Sequence, residues 1–248
     1  MKFFFKEGVQ LEGDRGIKMV SPAKIFRIAE DADLGFIARK LNDFREEEPY
    51  EGGGQTFNLI TEVTDLESED GTLHGVYSRD ALVSIYHRDG EVEVPETRET
   101  RLVFQERKGE IFFVVLDEKP KANRIANEIS EILFLKAGAI VEARIHEETL
   151  KELHESNPRA TKVIYFDNVD IPDVGKLALY GSSLADSSLY QEYLDHGNIW
   201  YAVFEVQDKG IVVGVTRNSV VVLFSKLEPD EFIEFILEDI LSLVSLEE

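Results

Sequence analysis

The sequence predicts an α+β protein: an antiparallel β-meander with packed helices, then a smaller α/β unit with a three-stranded meander and a C-terminal helix. Three observations predict it. Apolar residues alternate with period two from Thr56 to Leu116. Turn signals interrupt that alternation at Glu69-Asp70-Gly71, Asp89-Gly90 and Arg107-Lys108-Gly109. Helical periodicity then appears at Ala122, Ile125, Ala126, Ile129, Ile132 and Leu133, and again after Pro229. A soft boundary near His146 divides the chain into residues 1–145 and 146–248.

Taken in order, Ile25 to Phe44 reads as a helix broken around Asp31–Asp33, with Ile25, Ile28, Leu34, Ile37 and Leu41 near the helical repeat. Arg45 to Gln55, REEEPYEGGGQ, reads as an exposed loop. Its glycines are flanked by carboxylates and followed by a strand-like TFNLITEV, so they do not form a phosphate cradle. Pro95 places EVEVPET at a sheet edge, because proline has no N–H for a second ladder. Pro120 opens a helix that Gly138 closes, and AIVEARI follows as a short strand. Beyond the boundary come an acidic helix from Glu147 to Glu155, the strands TKVIYF and KLALYG, and a helix over SSLYQEYLDH capped by Ser187 or Asp186. IWYAVFEV, IVVGVT and VVVLFS form the second meander.

The last helix is apolar around more than one stripe. Phe232, Phe235, Ile236, Ile240 and Leu243 are therefore read as a partner interface, with packing across the chain's own sheet as the competing reading.

Composition narrows the function. Among 248 residues, 43% are hydrophobic and 16 are Phe, which excludes a disordered chain. There is no cysteine, which excludes disulfides, thiolate metal sites and thiol catalysis and fits a reducing cytoplasm. No apolar run reaches the roughly 18 residues of a membrane span. The opening Met1-Lys2-Phe3-Phe4-Phe5-Lys6 is too short for a secretory leader. The net charge of −22 repels nucleic acid over most of the surface and suits a partner with a basic face. Arg98, Arg101, Arg107, Lys108, Lys119, Lys121 and Arg124 make the one basic bias, interleaved with Phe104, Phe112 and Phe113, and are the candidate nucleic-acid contacts.

FDNVDIPDVGKLALYGSS, from Phe166 to Ser183, carries Asp167, Asp170 and Asp173. They converge only on a helix, which Pro172 opposes, and no calcium-loop register is present, so the stretch reads as a polar connection. Gly181-Ser182-Ser183 lacks the second glycine of a nucleophile elbow. A magnesium nuclease built on Asp173, Glu205 and Gln207 is one rival reading, with Glu106-Arg107-Lys108 a second loose match to the same pattern. An acidic decoy for a DNA-binding protein is another. The five histidines are scattered, and neither a metal-ligand set nor a cofactor is expected.

The order of elements resembles one family. A hairpin-rich sheet, the capping helix PKANRIANEISEILF, a connecting strand, and then TKVIYFDNVDIPDVGKLALYGSS and IWYAVFEV are similar to the N-terminal domain and two linkers of argonautes without the PAZ insert. The resemblance implies a separately encoded chain that completes a truncated MID–PIWI argonaute in host defence, binding guide and target only through that complex. It transfers no functional residue to a position here. The acidity departs from a guide-target channel, so the partner would supply most of the cationic lining.

Overall fold

Strand β1 (Ser21–Ile28) is apolar on both faces, and the other elements are arranged about it. The computed structural model describes residues 20–52, 55–88, 90–157 and 159–246. After β1 come α1 (Leu34–Leu41), β2 (Arg45–Gly52), β3 (Gln55–Glu69), β4 (Thr72–His87), β5 (Gly90–Arg107), β6 (Glu110–Val115), α2 (Lys119–Phe134) and β7 (Ile140–Glu142). The remainder supplies α3 (Glu147–Ser156), β8 (Thr161–Asp167), β9 (Leu177–Tyr180), α4 (Ser188–His196), β10 (Asn198–Val206), β11 (Ile211–Thr216), β12 (Val220–Leu223) and α5 (Pro229–Phe235). The protein is α+β, with all 12 of these strands in one antiparallel sheet ordered β2-β3-β4-β5-β6-β1-β12-β11-β10-β8-β9. One edge of β1 carries β6, while β12 and then β7 follow one another along the other edge. Residues before and after His146 therefore meet in a single hydrogen-bonded sheet at β1–β12.

Strand alternation sends side chains to two faces. On one face Phe26, Ile28, Leu73, Tyr77, Leu102, Phe104 and Phe113 pack beneath α1 and α2. On the other, Ala23, Ile25, Val103, Phe112 and Val114 join Ile164, Phe166, Val213, Val215 and Val221 beneath α3, α4 and the C-terminal helix. The two helical layers lie on opposite faces and overlap at β1, β5 and β6, which explains why those strands are apolar on both sides.

Two elements differ from their sequence reading. Ile25–Phe44 is not a broken helix: its first part is β1 and only Leu34–Leu41 is helical, started by Asp33, whose carboxylate accepts the Phe36 N–H at 2.5 Å. A strand buried on both faces has no period-two contrast, so its isoleucines fall by chance near helical spacing. Arg45–Gly52 is not a loop but the edge strand β2, paired with β3 from Arg45↔Glu62 to Gly52↔Gln55. Its run of glutamates discourages further pairing at that edge. Pro95 does sit on an edge: it faces Leu82 of β4, while β6 pairs β5 only from Leu102 onward. The opening stretch Met1–Lys6, Gly53–Gly54 of the glycine-rich run, Asp89 and Pro158 lie outside the described residues.

The expected partner face of the last helix is the protein's own core. Phe232, Phe235, Ile236 and Ile240 are 0–3% exposed, and Leu243 packs against the same cluster. The helix continues α5 through a π turn at Ile236–Ile240 and a 3-10 turn at Leu241–Leu243. This changing pitch rotates its contact stripe, which is why it is apolar around so much of its circumference. No helix among the described residues is long and apolar enough to cross a membrane.

Two buried polar groups make the core testable. Lys24 of β1 is wholly buried; its Nζ donates to Asn123 Oδ1 at 2.6 Å and is paired with Glu142. Desolvation pulls the ammonium below its ordinary pKa, and Glu142 works against that pull. Removing only the anion strands the cation. Glu142→Ala is therefore expected to destabilise by roughly 2–3 kcal/mol in urea unfolding, whereas Lys24→Met stays within about 1 kcal/mol. Equal losses for the two variants would contradict this account.

His154 of α3 is 1% exposed, edge-on to the Tyr190 ring at 4.6 Å, and neither ring nitrogen has a hydrogen-bond partner. Burial lowers its pKa to about 4, against the opposing pull of Glu155 and Asp186. The folded protein thus holds a neutral imidazole, while the unfolded chain takes up a proton below about pH 6.5. Its stability contribution is present above that pH and is lost as pH falls towards about 4. His154→Leu should remove on the order of 3 kcal/mol from the stability difference between about pH 7 and about pH 4, as read by urea unfolding of both proteins. Parallel pH profiles would refute the assignment.

Candidate functional site

The seven basic candidates do not form one patch. Arg98, Lys121 and Arg124 meet at a cleft of about 300 Å³ between β4, β5 and the first turns of α2. Arg79 of β4, not singled out by the sequence, completes the group. Arg101 points to the opposite sheet face and pairs with Asp230 at the start of α5. Arg107 and Lys108 belong to the β5–β6 hairpin, where Arg107 faces Glu110 and Lys108 takes a left-handed turn conformation. That hairpin lies seven residues beyond Thr100, about 20 Å or more along the strand. Lys119 acts on the Lys24–Glu142 pair and does not line the cleft.

Strand register builds the cleft. Arg79 lies directly opposite Arg98 in the regular β4–β5 ladder. Two like charges in that relation destabilise a sheet unless neighbours neutralise them. Glu128 of α2 pairs with Arg79, Glu96 holds Arg98 at 2.7 Å, and Asp117 holds Lys121 at 3.2 Å. Arg124 reaches Glu128 at 3.9 Å. The Arg98, Lys121 and Arg124 side chains remain 42–56% exposed. Exposed pairs of this kind are worth at most about 1 kcal/mol each, so little free energy holds these carboxylates on their cations.

Tyr77, Arg79 and Glu128 form a wall across the sheet face. The Tyr77 hydroxyl donates to Glu128, and burial, reinforced by that carboxylate, pushes its pKa up to about 12. Beyond the wall lies a second cleft of about 400 Å³, lined by Phe44 and by Glu46, Glu48, Asp80 and Glu131. Asp80 there accepts from the Ile60 N–H at 3.0 Å and the Thr97 hydroxyl at 2.6 Å. A cleft holding four cations with Glu99 and Asp117, and an acidic cleft, thus stand side by side, sharing Tyr77 and Arg79.

The other sequence candidates disperse. Asp167 pairs with Arg217 at 2.5 Å, Asp170 meets His196 Nδ1 at 2.7 Å, and Asp173 occupies a left-handed loop position. Glu205 is tied to Lys162 at 3.3 Å. Among the described residues, no three of His, Asp or Glu gather in a way that would hold a metal ion. Ser187 caps α4, accepting from the Tyr190 N–H at 3.2 Å. No protein-family model matches this chain, and no curated protein matches it.

Glu128 is the anion that competes most directly for the cleft's cations. Glu128→Gln should tighten binding of tripolyphosphate about two- to fivefold at low ionic strength, measured by titration calorimetry. An unchanged affinity would show that Arg79 and Arg124 are not open to exchange.

Proposed function

We propose that this chain is a non-catalytic interaction subunit of a cytoplasmic nucleic-acid-handling complex. The cleft between β4, β5 and α2 takes phosphates of a duplex that the complex holds. The partner we infer is the MID–PIWI half of a truncated argonaute, which the chain completes for guide-directed binding in host defence. The observation that carries the reading is the opposition of Arg79 and Arg98, flanked by Lys121 and Arg124, on a protein of net charge −22. Setting two arginines opposite each other works against sheet stability and is tolerated through Glu128 and Glu96. A polyanion in the cleft gives the arrangement a use. The rest of the surface repels nucleic acid, so affinity for a duplex depends on a partner that contributes further cations.

The untagged chain is purified from its native cells, and its protein and nucleic-acid companions are identified. It should carry a basic protein partner and bound nucleic acid. An Arg98→Glu/Arg124→Glu double variant should keep the protein partner and lose about tenfold or more of the duplex affinity, with a shallower salt dependence. Recovery of a monodisperse chain free of nucleic acid, or undiminished duplex binding by the variant, would defeat the reading.

A further inference from the structure

The sheet face that carries the basic cleft continues past β1 to β12, β11, β10, β8 and β9. None of the residues packed under α1 and α2 comes from those strands, so among the described residues neither helix covers this end. It carries a continuous group of aromatic rings. Tyr165 of β8 lies 5.9 Å from the Tyr180 ring, 5.9 Å from Trp200 and 5.4 Å from Tyr201. A bulge in the β8–β10 ladder between Ile199 and Tyr201 lets the consecutive Trp200 and Tyr201 both reach Tyr165. Tyr201 forms the floor, its ring over Gly214 of β11, where a methyl group would overlap it. Tyr180, on the edge strand β9, is 55% exposed and stands at the rim. The Tyr165 and Tyr180 hydroxyls are hydrogen-bonded to each other, which fixes the two rings as a pair.

Charge distinguishes this patch from its surroundings. Residues 146–248 hold seven Lys/Arg against twenty Asp/Glu. One of those seven cations, Lys176, lies against the rings. Lys176 stands 4.3 Å from the Trp200 ring centre. Lys162 is paired with Glu205, and Arg217 donates its backbone N–H to the Trp200 carbonyl while its side chain holds Asp167 and Glu147. Within a strongly acidic half the patch thus offers an exposed Tyr180 ring, half-buried rings beside it and one ammonium group against Trp200. Bases of an unpaired strand present flat π faces on a phosphate chain, which is the complement of that arrangement. A base-paired duplex buries its base faces and does not fit.

We propose that the aromatic face formed by Tyr165, Tyr180, Trp200 and Tyr201 is a stacking platform for unpaired bases of a single-stranded nucleic acid, with Lys176 beside Trp200 taking a phosphate. The proposal rests on the nucleic-acid reading above and names the form of nucleic acid at this second place. It uses neither the Arg98–Arg124 cleft nor a partner protein, so the two readings fail separately.

Trp200 is the chain's single tryptophan, so intrinsic indole emission reports on the platform alone. The full-length chain is titrated with oligo(dT) and oligo(U), with a duplex of equal length, and with a linear glucan oligosaccharide. Single strands should quench Trp200 saturably, and duplex and glucan should not. Binding should weaken only gently with salt, at a slope of about −0.7 for the one phosphate held. Tyr180→Ala, at an exposed rim position, should weaken the single strand about tenfold or more. Tyr180→Phe, which keeps the ring and loses the hydroxyl, should bind as the parent does. No saturable quench by single strands, equal quench by duplex, quench by the glucan alone, or full binding by Tyr180→Ala would each overturn the proposal. An Arg98→Glu/Arg124→Glu variant that quenches normally but loses the duplex in the purified complex assigns the two places separately. A failed quench beside intact co-purification sinks the platform and leaves the subunit reading standing.

Discussion

The burial of β1 between two helical layers is the constraint on which the rest of the structure depends. With β6 on one edge and β12 and β7 on the other, the strand joins the early meander to the late one. It must be apolar on both faces, and SPAKIFRI is, apart from Lys24 and Arg27. Lys24 lies on the α2 side of the sheet and is neutralised there by Glu142 of β7 and Asn123 of α2. That interaction ties β1, β7 and α2 together at the centre of the molecule. A buried ion pair adds little net stability over an apolar residue of similar size. Its effect here is geometric: Asn123 anchors α2 over the ammonium, and α2 in turn carries Lys121, Arg124 and Glu128.

Much of this architecture was legible in the sequence because short-range chemistry determines it. The long β4–β5 ladder follows from alternation on either side of a turn, the second meander from its two turn sequences, and α2 from Pro120 and its apolar stripe. The failures have a common physical origin, since each depends on what lies above or beside the element. β1 lacks alternation because helices cover both its faces. β2 carries glutamates because it is an edge, and a row of glutamates in isolation reads as loop. The last helix is apolar around its circumference because it is embedded in its own core with a changing pitch, whereas the sequence alone equally suited a surface for another chain.

The basic cleft shows the same division. Arg98, Lys121 and Arg124 stood out as a cluster in sequence, but Arg101 did not stay with them, because one step along β5 moves a side chain to the other face. Arg79 was missed although a signal for it existed. Stepping back along both strands from the His87–Gly90 pair reaches Arg79 and Arg98 together. Glu128 and Glu96 could not be assigned as their counterions without knowing where α2 crosses β4. Charge density along a sequence finds candidates, and only the register and the helix crossing decide which of them share a surface.

The cleft and the aromatic patch lie on one face of one sheet, and β1 is again the reason. Lys24 is opposite Val115 on one side and Val220 on the other; Val115 leads through Leu102 to Gly75, two residues from Tyr77, and Val222, two residues from Val220, leads to Gly214 and Val203. Directly opposed residues share a face, so Arg79 and Tyr201 project to the same side. From β5 to β10 there are five strand spacings, about 24 Å. A duplex with its phosphates against Arg98 and Arg124 and an unpaired extension stacked on Trp200 and Tyr180 would therefore lie along one continuous surface. The sheet holds the two places at a fixed separation because every intervening strand is hydrogen-bonded to the next. The acidic cleft lies on the far side of Arg79 from that path and would repel a strand running the other way. On the proposed reading, direction across the face would be set by the same wall of Tyr77, Arg79 and Glu128 that separates the two clefts.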